Sequence, residues 1–274
     1  MFNRLALIAA TLLFAIGSSS CSHRPKTTAP FTFRVMTYNI HHGEGMDGRI
    51  DLRRIANVIL EARADIVALQ EVDKGVERTG KRDLPSELAA LTGMTCVFSN
   101  NHPFQGGEYG NAVLTRFPVK RAGNHHFKML QAKEQRGLQE LVLDVDGRRL
   151  AFLNTHLHAG QPETERWSSV QEIEQKLKDY GQLALLLCGD MNAVPDSRVI
   201  ARLAGILDDT WLLAGEGDGF TVPSTGARRR IDYILKSRYP KLRPLKAWVT
   251  QTEASDHLPL TVEFEWRRDS SEVK

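Results

Sequence analysis

Residues 183–192 read LALLLCGDMN. An apolar run from Leu183 to Cys188 breaks at Gly189 and passes at once into Asp190, Met191 and Asn192. Apolar runs of this length bounded by turn residues read as core strands. Such a strand delivers a carboxylate (Asp190) and an amide (Asn192) to its mouth, the place where α/β proteins commonly keep their chemistry. Taken alone, a polar strand cap explains the pattern equally well. The weight comes from repetition of the same device along the chain.

Working outward, an alternating strand over 33–40 ends in Tyr38-Asn39-Ile40. Leu52, Ile55, Val58 and Ile59 are spaced for a helix over 51–63 with Asp51 as its cap. A second core strand over 65–70 runs into Glu71, and a short helix over 84–91 is stopped by Gly93. The segment 95–156 reads mostly as strands, at 95–99, 112–115, 119–127, 138–145 and 150–156, with Asp146-Gly147 as a hairpin turn. A charged amphipathic helix covers 162–180, a short one 198–203, and closing strands lie at 231–235, 247–250 and 258–266. Many strands, only partly alternating with three or four helices, predict two packed sheets with helices outside; a doubly wound open sheet would need more helices.

The 274 residues are 42% hydrophobic and 25% charged, an ordinary globular balance, and no composition break or internal repeat divides the chain after residue 32. One large domain over 32–268 is therefore expected, as a monomer. The formal net charge is +3, and the first twenty residues carry Arg4 and no acid, so the remainder stands at +2. That lacks the strong basic footprint of nonspecific nucleic-acid binding. Arg228-Arg229-Arg230 is a local exception, for which a solvated loop is the plain explanation. At the N-terminus a cationic start, an apolar stretch over 5–16 and Gly17-Ser18-Ser19-Ser20 have the layout of a signal peptide over 1–20. Cys21 follows at once, as in a bacterial lipobox, although Ser18 departs from the usual aliphatic residue. Acylation of Cys21, with residues 21–31 as a tether to the membrane, is the expectation; plain cleavage near Ser20 is the alternative. Cys96 and Cys188 sit in apolar surroundings and read as buried free thiols.

Polar residues recur where strands end or begin: Asn39, Glu71, Asn154-Thr155-His156, Asp190 with Asn192, Asp232, and Asp256-His257. Each has a dull explanation as a cap, turn or surface residue; six together are harder to dismiss. Asp, Glu and Asn offer oxygen ligands suited to a hard cation such as Mg²⁺, and no Cys/His spacing suggests zinc. Two histidines near carboxylates suit protonation of an anion or stabilisation of its charge. Arg136, before a strand, offers a guanidinium for a phosphate. The sum is metal-assisted attack of water on a phosphate ester.

The segments TYNI (37–40), QE (70–71), YGNAVLTR (109–116), RG (136–137), NTHL (154–157), GDMN (189–192), RIDYI (230–234) and SDHLP (255–259) stand in order over most of the chain. Together they resemble the successive motifs of the endonuclease/exonuclease/phosphatase superfamily, which includes DNase I-like nucleases, apurinic endonucleases, neutral sphingomyelinases and inositol-polyphosphate 5-phosphatases. One departure is His158 after NTHL, where the family pattern has Asp.

The resemblance implies a four-layer α/β/β/α sandwich, an α/β (α+β) fold. It implies Mg²⁺ or Mn²⁺ held by Glu71 and Asn39, with Asp256 near a second metal position. Asp190 would orient or deprotonate the attacking water, and Asn192 would help hold the phosphate. Asp232 would polarise His257, which stabilises phosphate charge, while His156 contacts another phosphate oxygen. Arg136 and Asn111 are expected to face the phosphate. The expected substrate is a phosphodiester on a lipid or small head group, reached from a lipid-anchored position in the bacterial envelope. An envelope nuclease is the alternative, with residues 101–109 as a substrate-facing loop or an ordinary hairpin. A silent binding protein on the same fold is disfavoured because Glu71, Asp190 and His257 are all present.

Overall fold

The computed structural model describes residues 30–267. The signal peptide over 1–20, Cys21 and most of the tether lie outside the described residues. The first of two six-stranded sheets has the order β11 (Leu242–Val249), β12 (Leu260–Trp266), β1 (Phe31–Asn39), β2 (Ile66–Lys74), β4 (Gly107–Thr115), β3 (Thr95–Phe104). The second has β5 (Val119–His126), β6 (Gly137–Val145), β7 (Arg148–His156), β8 (Ala184–Asp190), β10 (Asp232–Lys236), β9 (Asp208–Asp209). β1 and β2 run parallel, as do β7 and β8. A parallel pair needs a crossover, and these are supplied by helices α1 (Leu52–Glu61) and α3 (Thr164–Leu177). Helix α2 (Leu84–Thr92) accompanies α1, α4 (Arg198–Ala204) packs on α3, and α5 (Thr210–Ala214) touches β10 and β11.

The four layers follow from period-two alternation. One face of each sheet joins a shared core, with Phe33, Val35, Ile66, Ala68 and Val113 from the first meeting Leu141, Leu143, Phe152, Leu186 and Ile234 from the second. The opposite face of the first sheet, including Met36, Tyr38, Val67 and Leu69, is covered by Ile55 and Ile59 of α1 and Leu84 and Leu88 of α2. The opposite face of the second, including Leu153, Leu187 and Tyr233, is covered by Val170 and Ile173 of α3 and Val199 and Leu203 of α4. Burying each such side chain contributes about 1.5–3 kcal/mol. The expected four-layer sandwich is thus observed.

The inward positions change character along the strands. In β1 they read Phe33, Val35, Thr37, Asn39; in β7 Leu150, Phe152, Asn154, His156; in β8 Ala184, Leu186, Cys188, Asp190. At one end of the two sheets the apolar core therefore gives way to a layer of buried amides and hydroxyls, and then to a layer of ionisable groups.

Several elements differ from the sequence reading. β2 does not end at Glu71 but continues to Lys74 through a bulge between Leu69 and Val72. Residues 101–109 belong to the β3–β4 hairpin, whose tip is Gln105-Gly106, both at positive φ. The arginine run is divided: Arg228 and Arg229 are exposed, whereas Arg230 is buried against Asp209 at 2.7 Å. α5 and β9 have too little periodicity to be read from sequence. Cys188 lies in the inter-sheet core, while Cys96 is half-buried against the α1–α2 side, and both are free thiols.

Candidate active site

Asp190, the last inward residue of β8, is the hub of the ionisable layer. Its Oδ2 accepts from Asn39 Nδ2 at 3.2 Å and lies 3.5 Å from His156 Nε2 and 3.8 Å from His257 Nε2. Its Oδ1 accepts from the backbone N–H of Asn192 at 2.8 Å. That bond holds the turn after β8, where Asn192 adopts φ 46°. Asn39 Nδ2 also donates to Glu71 Oε1 at 3.0 Å, so one amide joins the carboxylates of the two sheets. On the other flank, Asp232 Oδ2 is 3.0 Å from His257 Nδ1. Asp190 and Asp232 are buried, as are Asn39, His156 and His257, while Glu71, Asn192 and Asp256 are half-buried.

The electrostatics separate the two histidines. Burial acts to lower His257, but Asp232, Asp190 and Asp256 outweigh it and hold the imidazole at about 10, protonated at neutral pH. Burial holds His156 well below its ordinary range, and the charges of Arg136 and His257 add to the effect. Arg136 NH1 lies 2.8 Å from His156 Nδ1. A guanidinium only donates, so Nδ1 faces a donor, while Nε2 lies 3.5 Å from Asp190 Oδ2 and 3.1 Å from Asn192 Nδ2, itself an amide donor. Burial, reinforced by Asp232, lifts the Asp190 carboxyl to about 7 against the opposing pull of His257, Asn192 and Asn39.

The residues present fit a hard cation. Asp190, Asp232 and His257 bring ligand atoms within 4.8 Å of one another, but a protonated imidazole is no ligand, so that group is better described as a charge-coupled triad. The sequence-expected set fits better. Glu71 and Asp256 offer carboxylate oxygens of the kind a hard cation takes, Asn39 holds Glu71 Oε1 through Nδ2 while its Oδ1 accepts from the His41 N–H at 3.1 Å, and Asp256 lies within electrostatic reach of His257. The raised Asp190 carboxyl and the buried, unpartnered Oδ1 of Asp232 both mark an excess of negative charge that a divalent ion would relieve.

Of the residues expected to face the phosphate, Arg136 meets His156 through NH1 and, at 3.1 Å, Glu134 through NH2, while its buried Nε has no partner. Asn111 lies buried in β4 opposite the Glu71 bulge with an unpartnered Nδ2. His158 is a half-buried rim residue whose carbonyl accepts from Arg166 at 2.7 Å.

Supporting residues escaped the sequence reading, although Ser255 and Tyr109 stood inside quoted motifs. Ser255 Oγ donates to Asn39 O at 2.8 Å and accepts from His257 N at 3.2 Å, joining the β1 end to the β12 approach. Thr221 Oγ1 accepts from the backbone N–H of Asp232 at 3.4 Å. Tyr109 is buried near Glu71, Arg136 and Arg78, and burial followed by the Glu71 charge raises its phenol well above the usual range. Arg78 lies 5.4 Å from the Tyr109 ring centre and pairs with buried Asp73 at 2.8 Å. Alternation could have signalled Tyr109 in β4; Ser255, Thr221 and Arg78 lie outside the strands and carry no such signal.

A model of the Endonuclease/Exonuclease/phosphatase family matches residues 36–257. The chain is 27% identical over 260 residues to the uncharacterized protein YbhP of Escherichia coli (strain K12), covering 88% of this chain and 99% of that one. An endonuclease/exonuclease/phosphatase structure from Beutenbergia cavernae DSM 12333 superposes with a TM-score of 0.71 at 24% identity, covering 86% of this chain and 72% of that one. The human nocturnin catalytic domain, solved with bound sulfate anion, gives 0.69 at 24% identity, covering 89% and 100%. These structural likenesses bear on the fold.

Proposed function

This chain belongs to the Endonuclease/Exonuclease/phosphatase family, hydrolases of phosphoester bonds, and from that premise we propose that it is a metal-dependent phosphodiesterase of the bacterial envelope acting on a lipid or small-molecule head group. The observation that carries the chemistry is the placement of Asp190 Oδ2 between Asn39 Nδ2 at 3.2 Å and His257 Nε2 at 3.8 Å. A base is thereby set between the Glu71 side, which suits a cation, and a protonated imidazole, which suits an anion.

In this reading Asp190, once deprotonated, accepts the proton of the attacking water. Protonated His257, fixed by Asp232, donates to a phosphoryl oxygen as charge develops there, and His156 contacts another phosphoryl oxygen. Asn192 orients the phosphate beside them. Glu71 and Asn39 would hold Mg²⁺ or Mn²⁺, which would supply Lewis-acid polarisation of a phosphoryl oxygen.

The head-group preference rests on the modest charge and on the lipobox-like Cys21, which would confine the site to a membrane surface. Exposed Arg228 and Arg229 favour the nuclease reading. The deciding experiment compares plasmid DNA, RNA, sphingomyelin, phosphatidylinositol, inositol phosphates and an aryl phosphodiester on one preparation with Mg²⁺ or Mn²⁺. Fast head-group release with slow nicking supports the proposal. Fast nicking that falls steeply with salt, with lipids and small phosphodiesters untouched, replaces it with an envelope nuclease.

A further inference from the structure

Glu71 reaches the site only because β2 is irregular. Val67, Leu69 and Val72 all face the α1–α2 side, so the alternation slips between Leu69 and Val72. Leu69 pairs with Ala112 and Val72 with Gly110, which leaves Gln70 and Glu71 opposite the single residue Asn111. This is a β-bulge, the device that re-aims a side chain in a ladder. With unbroken alternation Glu71 would share the face of Val67 and Leu69, under the helices. Its φ of 58° is a left-handed conformation that costs a non-glycine residue about 1–3 kcal/mol and persists only where neighbours enforce it.

The enforcing contact comes from the opposite sheet. Asn154, at an inward position of β7 and fully buried, donates through Nδ2 to Leu69 O and Ala112 O, each at 3.0 Å. These carbonyls belong to the last regular pair before the bulge. Asn154 Oδ1 accepts from Gln70 Nε2 at 2.8 Å, the side chain next to Glu71. The same Gln70 amide reaches Thr37 Oγ1 at 3.2 Å, two residues before Asn39. Asn154 is itself steadied by Gln139 Oε1 at 3.2 Å, and Gln139 Nε2 donates to Val97 O at 2.8 Å. A buried amide left without these partners costs free energy, which favours the network as it stands, although Gln70 Oε1 has no partner in it.

We infer that Asn154 is the positioning residue for Glu71: by clamping both sides of the β2–β4 bulge from the facing sheet, it fixes the carboxylate expected to hold the cation. The inference rests on the proposed metal dependence for its chemical consequence but not for its geometry. Groups that orient a metal ligand without touching the metal typically carry about 10–100-fold in affinity.

The test compares Asn154→Ala and Gln70→Ala with Thr155→Val. The last removes a buried hydrogen bond of the same strand, Thr155 Oγ1 to Gly137 O at 2.9 Å, and leaves the bulge alone. Mn²⁺ dissociation constants are read by electron paramagnetic resonance, and backbone exchange of residues 69–74 by hydrogen–deuterium mass spectrometry. The expected result is at least ~10-fold weaker Mn²⁺ binding and faster exchange over 69–74 in the first two variants, with Thr155→Val like wild type in both. Wild-type affinity and protection in either folded bulge variant, or equal losses in Thr155→Val, would overturn it. Should Asn154→Ala not fold, Gln70→Ala decides. Should wild type bind no Mn²⁺, the metal reading fails while the exchange comparison still judges the clamp.

Discussion

Asp190 and Asp232 face each other as a register pair across the antiparallel β8–β10 ladder. Like charges placed directly opposite destabilise a sheet, and both carboxylates are buried. His257 reconciles them, bonded to Asp232 and 3.8 Å from Asp190. The fold thus holds a charge arrangement that is poor for stability and useful for moving a proton.

Asp190→Asn is expected to separate the two properties. The amide cannot accept the proton of water, so kcat should fall at least ~10²-fold, while the lost repulsion leaves the melting temperature equal or higher. His257→Ala should lower kcat by at least ~10²-fold too, but it leaves two facing carboxylates unreconciled and should lower the melting temperature. Steady-state kinetics on the substrate found by screening, with calorimetry of the same samples, checks both. Near-normal turnover in either variant removes its assigned role.

The pH dependence has a definite sign. A base lifted to about 7 is active above that pH, and an acid held at about 10 is active below it. Accordingly kcat/KM should rise through about 7 and fall through about 10, with the cation shifting the acid limb only downward. Asp232→Asn removes the partner of His257 and should move the alkaline limb to lower pH. For the metal-free protein the linkage runs one way. Folded Asp190 keeps a proton between 3.8 and about 7 that the unfolded chain has released, and folded His257 keeps one between 6.5 and about 10. Their contributions to stability are therefore lost as pH rises through those windows. Calorimetric scans from pH 4 to 10, with Asp190→Asn and His257→Gln as references, measure this; contributions that grow with pH would contradict it.

Chelation should abolish hydrolysis, and Mg²⁺ or Mn²⁺ should restore it. The donor set around Glu71 is oxygen-rich and the surrounding charge is negative, so oxygen-preferring divalent ions should reactivate better than thiophilic ones. Full activity after exhaustive dialysis against EDTA would dismiss the metal from the mechanism.

Export and anchoring make a separate prediction, independent of the catalytic one. Cys21→Ser should turn a membrane-fraction protein into a soluble or unprocessed one, because stable attachment depends on the acyl chains. Unchanged fractionation of that variant with normal cleavage near Ser20 would favour plain secretion.

The sequence showed most of the ionisable layer and little of what holds it. Asn39, His156 and Asp190 end inward alternations that begin apolar, and Asp232 opens one that continues with Ile234, so their strands announce them. Glu71 could be found as a residue but not as a geometry, since its bulge depends on Asn154, 83 positions away on another sheet. The amide layer of Gln70, Gln139 and Asn154 was equally hidden, because an amide in a strand carries no local sign of a partner across a core. The neighbours of Arg136 were hidden as well: an isolated guanidinium gives no local sign that His156 and Glu134 lie against it. The arginine run is a solvated loop at Arg228 and Arg229, while nothing local announces that Arg230 meets Asp209.

That division of the arginines yields the prediction with the sharpest contrast. Arg230 is 3% exposed and its NH1 lies 2.7 Å from Asp209 Oδ2, while Asp209 Oδ1 accepts from Trp211 N at 2.9 Å and so caps α5. Removing one member of a buried pair leaves an uncompensated charge, a loss of about 3–5 kcal/mol. Arg230→Ala should therefore unfold at markedly lower denaturant and lose activity on every substrate together. Arg228 and Arg229 are exposed, so the double change to Ser should leave stability within about 0.5 kcal/mol. If the substrate is a head-group phosphodiester, the double variant should also keep its kcat/KM within about twofold, since no long phosphate backbone is there to be neutralised. If it is nucleic acid, nicking should weaken and lose part of its salt dependence, because each phosphate contact removed lowers the salt slope by about 1. Comparing the double variant with Arg230→Ala on plasmid and on lipid keeps a binding effect distinct from a folding effect. A double variant crippled on plasmid alone would decide for the nuclease.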